Sequence, residues 1–134
     1  MTLMMKRTAM AVLIVLATTG AAAPARADIG DYQFQLVKTA VKQGPAAEIA
    51  VRLIDKRTNR PVPDAVIFSR RVDMAPDGME MMAAPIEPLP STEAGVYRFK
   101  ANLGMAGGWR LSLAAKLQGE TGTLESRLVF QVAP

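Results

Sequence analysis

The chain has 134 residues, half of them hydrophobic, and contains neither cysteine nor histidine. Those two absences exclude disulfides, thiolate and imidazole metal sites, and nucleophile systems that need a cysteine or a histidine base, so an enzyme is not expected. The formal charge of +4, from 16 basic and 12 acidic residues, is concentrated at the N-terminus and does not argue for a nucleic-acid partner.

Residues 1–27 read as a secretory signal peptide. Lys6 and Arg7 form a positive start, Ala9 to Ala17 is an apolar run, and Ala25-Arg26-Ala27 fits a small-x-small cleavage pattern. The apolar run falls short of the roughly 20 residues that a bilayer-spanning helix needs. A periplasmic location is therefore expected, with no transmembrane anchor after cleavage and one domain over residues 28–134. Three of the 16 basic residues, Lys6, Arg7 and Arg26, lie in the signal, so 13 face the 12 acidic ones beyond it. Arg70-Arg71 and Lys56-Arg57 are the adjacent basic pairs of that domain. They fit solvated strand faces better than a nucleic-acid footprint.

After the signal the pattern is one of short strands. Tyr32, Phe34 and Leu36 alternate with polar neighbours and predict a first strand. Ile49, Val51 and Leu53 mark a second over residues 48–54, followed by a turn at 55–63 with Asn59, Pro61 and Pro63. A third is predicted over 65–72, with Val66, Phe68 and Val72 facing the core and Ser69, Arg71 and Asp73 facing water. Residues 74–90 read as a Met- and Pro-rich connection. Pro85, Pro88 and Pro90 allow at most an edge-like pairing there. Clean alternation returns at 96–103, where Tyr97, Phe99, Ala101 and Leu103 point inward, and again at Trp109, Leu111, Leu113, Ala115 and Leu117. Gly119 and Gly122 mark a hairpin turn, and Leu128, Phe130 and Val132 belong to the last strand. About seven strands with regularly spaced turns predict an all-β, immunoglobulin-like two-sheet sandwich.

Four short segments, in this order, carry a family likeness. They are Arg60-Pro61-Val62-Pro63-Asp64-Ala65-Val66, Asp73-Met74-Ala75-Pro76-Asp77-Gly78-Met79, Ala94-Gly95-Val96-Tyr97 and Met105-Ala106-Gly107-Gly108-Trp109-Arg110-Leu111. Over residues 33–132 the chain resembles the YtkA-like/FixH-like family of small exported or membrane-anchored bacterial domains. The resemblance implies an extracytoplasmic β-sandwich. It also implies an association with copper handling, cytochrome oxidase assembly or heavy-metal efflux, and so with envelope proteins of those systems as partners. FixH proteins proper carry a transmembrane anchor, whereas the apolar segment here ends in a cleavage signal. Without histidine, a mixed His/Met copper site is excluded.

All methionines beyond the signal lie between positions 74 and 105, at Met74, Met79, Met81, Met82 and Met105. A thioether is a soft neutral ligand suited to Cu(I). Met74, Met79, Met81 and Met105 are the candidate metal ligands, on condition that the 74–82 segment meets the 104–108 loop. Asp73, Asp77 and Glu80 are possible added oxygen donors. Methionine is equally a filler of irregular core gaps and a constituent of adaptable binding surfaces. Packing, and a metal-free module docking on an envelope complex, therefore stand beside the copper reading, and binding of a small apolar ligand between the sheets is a further option. Met82 faces opposite to Met81 and is a core candidate. Trp109 is read as a core aromatic, with a cation–π lid as the alternative. Tyr97 is read as a tyrosine corner bonding nearby backbone. Gly107-Gly108 suit a tight turn, and Asp64 a turn cap.

Overall fold

A computed structural model describes residues 28–134. The signal peptide expected over 1–27 lies outside the described residues. Two sheets form a sandwich of the immunoglobulin-like kind. Its strands are β1 (Tyr32–Leu36), β2 (Ala40–Lys42), β3 (Gly44–Asp55), β4 (Arg60–Pro61), β5 (Val66–Met74), β6 (Met79–Ala84), β7 (Ile86–Leu89), β8 (Val96–Leu103), β9 (Gly107–Lys116) and β10 (Leu124–Ala133). The first sheet runs β1-β3-β8-β7, with β4 paired to the end of β3; the second runs β2-β10-β9-β5-β6. Among the described residues no helix is long and apolar enough to cross a membrane.

The ten strands exceed the expected seven because two stretches change sheets. β1 pairs antiparallel with β3, and β2, four residues on, pairs parallel with β10 in the other sheet. The Met- and Pro-rich connection behaves likewise. β6 is an edge of the second sheet and β7 an edge of the first, with Pro85 between them. Pro88 sits inside β7, where an edge position tolerates its missing N–H.

The strongly alternating strands supply the core. Phe34, Ile49, Val51, Leu53, Phe99 and Leu103 from the first sheet meet Val72, Trp109, Leu111 and Phe130 from the second. The third predicted strand departs from expectation at its start. A bulge between Ile67 and Ser69 shifts the pairing of β5 with β9. One extra residue reverses the faces. Val66 and Phe68, expected inside, are exposed, and Ile67 packs on the core instead. Beyond the bulge, Arg70, Val72 and Met74 share the inward side of β5, opposite Leu113 and Leu111 in the register.

Candidate functional site

The four segments that carry the family likeness pair off in space at opposite ends of β5. The first pair closes the end where β5 begins. The Tyr97 hydroxyl donates to the Val62 carbonyl (2.9 Å) and accepts from the Ala65 N–H (3.0 Å), so it pins the strap that carries the chain from one sheet to the other. This is the expected tyrosine corner. Burial, and then the charge of Asp64, push the phenol above its ordinary range, against the opposing pull of the Ala65 N–H. Gly95 has a positive φ of 77°, and a Cβ there would lie 2.5 Å from the Pro61 side chain. Only glycine lets the strap pass so close.

The second pair closes the far end of β5, where the methionines lie. A single 3-10 turn over Ala75–Asp77 follows Met74. The Gly108 N–H donates to Asp77 Oδ2 at 3.0 Å, which joins this turn to the start of β9. A Cβ on Gly107 would collide with that same oxygen at 2.3 Å and lie 3.1 Å from Met74 Cε. The Trp109 indole N–H donates to the Met105 carbonyl (3.0 Å), while its ring is buried in the core. The two methionine-bearing turns are thus joined through the Asp77 carboxylate and the Gly108 N–H.

Their side chains are placed unequally. Met74 is fully buried, with 0% exposure, and belongs to the core. A sealed thioether offers no lone pair to an incoming ion, so the expectation that Met74 shares an accessible rim is corrected. Met79 is its Cα partner across β5 and β6 and is 37% exposed. Met105, on the other turn, is 43% exposed, and Met81 is 96% exposed. Met82, expected in the core, is also exposed. The reason lies in the pairing: Asp73 matches Ala83 but Met74 matches Met79, so residues 80–82 bow away from β5 and lose strand alternation.

The three expected oxygen donors have structural duties instead. Asp73 is fully buried, and its Oδ1 accepts from the Ala75 N–H at 2.9 Å. Its Oδ2 accepts from Arg71 Nε at 3.1 Å and Arg110 Nη2 at 3.2 Å. Burial alone would raise the Asp73 carboxyl; the three donated hydrogen bonds outweigh it and hold the group below its ordinary value. Asp77 is taken by Gly108. Glu80 accepts from Arg110 at 3.4 Å, and its carbonyl accepts from Arg71 at 2.9 Å. Among the described residues no cluster of acidic side chains is placed to hold a metal. Sequence reasoning missed this network. Its one local signal is an aspartate two residues before a turn amide, the pattern of an Asx-turn.

The molecule is therefore a small immunoglobulin-like sandwich whose two ends are knit by hydrogen bonds to backbone groups. Its sequence matches the YtkA-like family over residues 26–114, and the chain belongs to that family. The match ends inside β9, so β10 lies beyond it. A search of curated proteins found no match. Among solved structures, the chain is similar to the Lin-41 filamin domain at 16% identity and a TM-score of 0.42, covering 75% of this chain and 91% of that one. It is also similar to the ZirS C-terminal domain at 11% identity and a TM-score of 0.45, covering 100% and 88%. Neither likeness is close enough to bear on function.

Proposed function

We propose that this YtkA-like chain is exported to the periplasm and serves there as a non-catalytic accessory domain in copper or heavy-metal homeostasis, taking up Cu(I) transiently at its methionine end. The supporting observation is the hydrogen bond from Gly108 to Asp77, which holds the Met105 turn against the turn that precedes Met79. Met79, Met81 and Met105 are exposed around these turns, and Met74 serves as packing. Asp73 and Asp77 are engaged with arginines and backbone, so the soft donors at this rim are neutral sulfurs, with the Glu80 carboxylate 74% exposed beside them. Such a set suits Cu(I) over Zn(II) or Cu(II). Thioethers release no proton on binding, so affinity should stay level between about pH 5 and 8. The test is competition for Cu(I) with a chromophoric chelator. Replacing Met79, Met81 and Met105 together by leucine should weaken binding at least about tenfold, while Met74→Leu should leave it unchanged. Unaltered binding in the triple variant refutes the site.

A second reading rests on a different observation. β6 is an edge strand of the second sheet, and it carries Met81, the most exposed methionine among the described residues. Exposed methionines on an open edge suit docking on an envelope complex, such as an efflux pump or an oxidase-assembly protein, with no metal involved. Leucine substitutions would then preserve partner binding, and Met81→Asp would abolish it.

A further inference from the structure

We propose that the cleft beside Arg70, at the end of β5 away from the methionines, binds a small monocarboxylate with an apolar tail. Arg70 stands opposite buried Leu113 in the register of β5 and β9, so its side chain leaves the sheet on the inter-sheet side. There it lines a cleft of about 490 Å³ between the start of β5, the edge strand β7 and the beginning of β8. That volume lies within the range of small-ligand sites, roughly 300–1,000 Å³. Ile67, Pro88, Leu89 and Phe99 make much of the wall apolar.

The Nε of Arg70 is buried and has no hydrogen-bond partner among the described residues. Arg57, Arg71, Arg98 and Arg110 each hold a carboxylate. Arg70 holds none among the described residues, although Asp64 and Glu93 line the same cleft. A buried guanidinium N–H without an acceptor is costly. A carboxylate satisfies it with two parallel bonds, one to Nε and one to a terminal nitrogen. The two acidic side chains in the lining repel any anion, a cost that Arg70 must outweigh and that grows with each further ligand charge, so a monoanion is favoured over a dianion. The apolar wall selects a hydrocarbon or aromatic tail. An added peptide strand fits this rim poorly, because the exposed edge β7 carries Pro88, which has no N–H to donate.

The experiment is calorimetric titration of the intact protein with octanoate and with octanamide, its uncharged counterpart. Octanoate should bind at least about tenfold tighter, and Arg70→Gln should erase that preference while leaving octanamide affinity unchanged. Equal affinities in the wild-type protein overturn the proposal, and that comparison requires no variant. So does a preference that survives Arg70→Gln, or no octanoate binding up to about 10 mM. Octanedioate should bind more weakly than octanoate; tighter binding overturns the single-charge assignment. N-acetyl-leucyl-leucine binding tighter than octanoate would assign the cleft to peptide C-termini and overturn the small-acid reading. Leucine at positions 79, 81 and 105 should change none of these affinities, which separates this site from the methionine end.

Discussion

The two ends of β5, roughly 26 Å apart at strand rise, perform the same mechanical task with different chemistry. At the Tyr97 end, one neutral hydroxyl holds the strap between the sheets, and glycine lets the strap lie close. At the methionine end, the carboxylates of Asp73 and Asp77 hold the turn, and two arginines cover the buried charge. The neutral end leaves a cation, Arg70, facing an open cleft. The charged end uses its acids in the structure and leaves uncharged sulfur facing water. The ligand proposed for each end follows from which groups the fold has already committed.

Removing the buried acid is the most severe way to break this contrast. Asp73→Ala leaves the Ala75 amide and Arg71 Nε without their acceptor and Arg110 with Glu80 alone, and should cost about 3 kcal/mol in urea unfolding near neutral pH. The same group makes the wild-type protein acid-sensitive. Its folded value lies below that of an ordinary aspartate, because the Ala75 amide and the two arginines outweigh the effect of burial. Its contribution is therefore present above the unfolded-state value and lost as pH falls through the folded one. The melting temperature should fall as pH drops below about 4, and Asp73→Asn should flatten that fall. A variant as acid-sensitive as the wild type would place the acid response elsewhere.

The neutral end should respond more gently. Tyr97→Phe removes one donated and one accepted hydrogen bond and should cost about 1–2 kcal/mol, equally at pH 5 and pH 8. A pH-dependent cost would remove the distinction between the two ends. Smallest of all, Met81→Leu should shift stability by less than about 0.5 kcal/mol, since its side chain is almost wholly in solvent. A larger loss would mean that the edge methionine supports the sheet.

Much of the fold was legible because β8 and β9 alternate cleanly, and the Tyr97 corner announced itself through Ala94-Gly95-Val96. β6 and β7 were not legible as strands. They are short, contain Pro88, and lose alternation where residues 80–82 bow outward. The faces of Val66 and Phe68 were misread because one inserted residue in β5 reverses everything before it, and no local pattern marks that insertion. At the methionine end, the meeting of the two turns could be anticipated only as a condition. The burial of Met74 could not be, since a thioether reads alike in a core and at a rim. Nor does composition reveal that Asp73, Asp77 and Glu80 are engaged, because that depends on Arg71, Arg110 and Gly108 arriving from other positions.

The single tryptophan sits where the two halves of this comparison can be told apart optically. The indole of Trp109 is tethered to the Met105 carbonyl, so its emission senses rearrangement of that turn, and it does not line the Arg70 cleft. The protein thus carries its single indole at one end, and a quenched or shifted tryptophan spectrum would report a ligand meeting that extremity rather than the other.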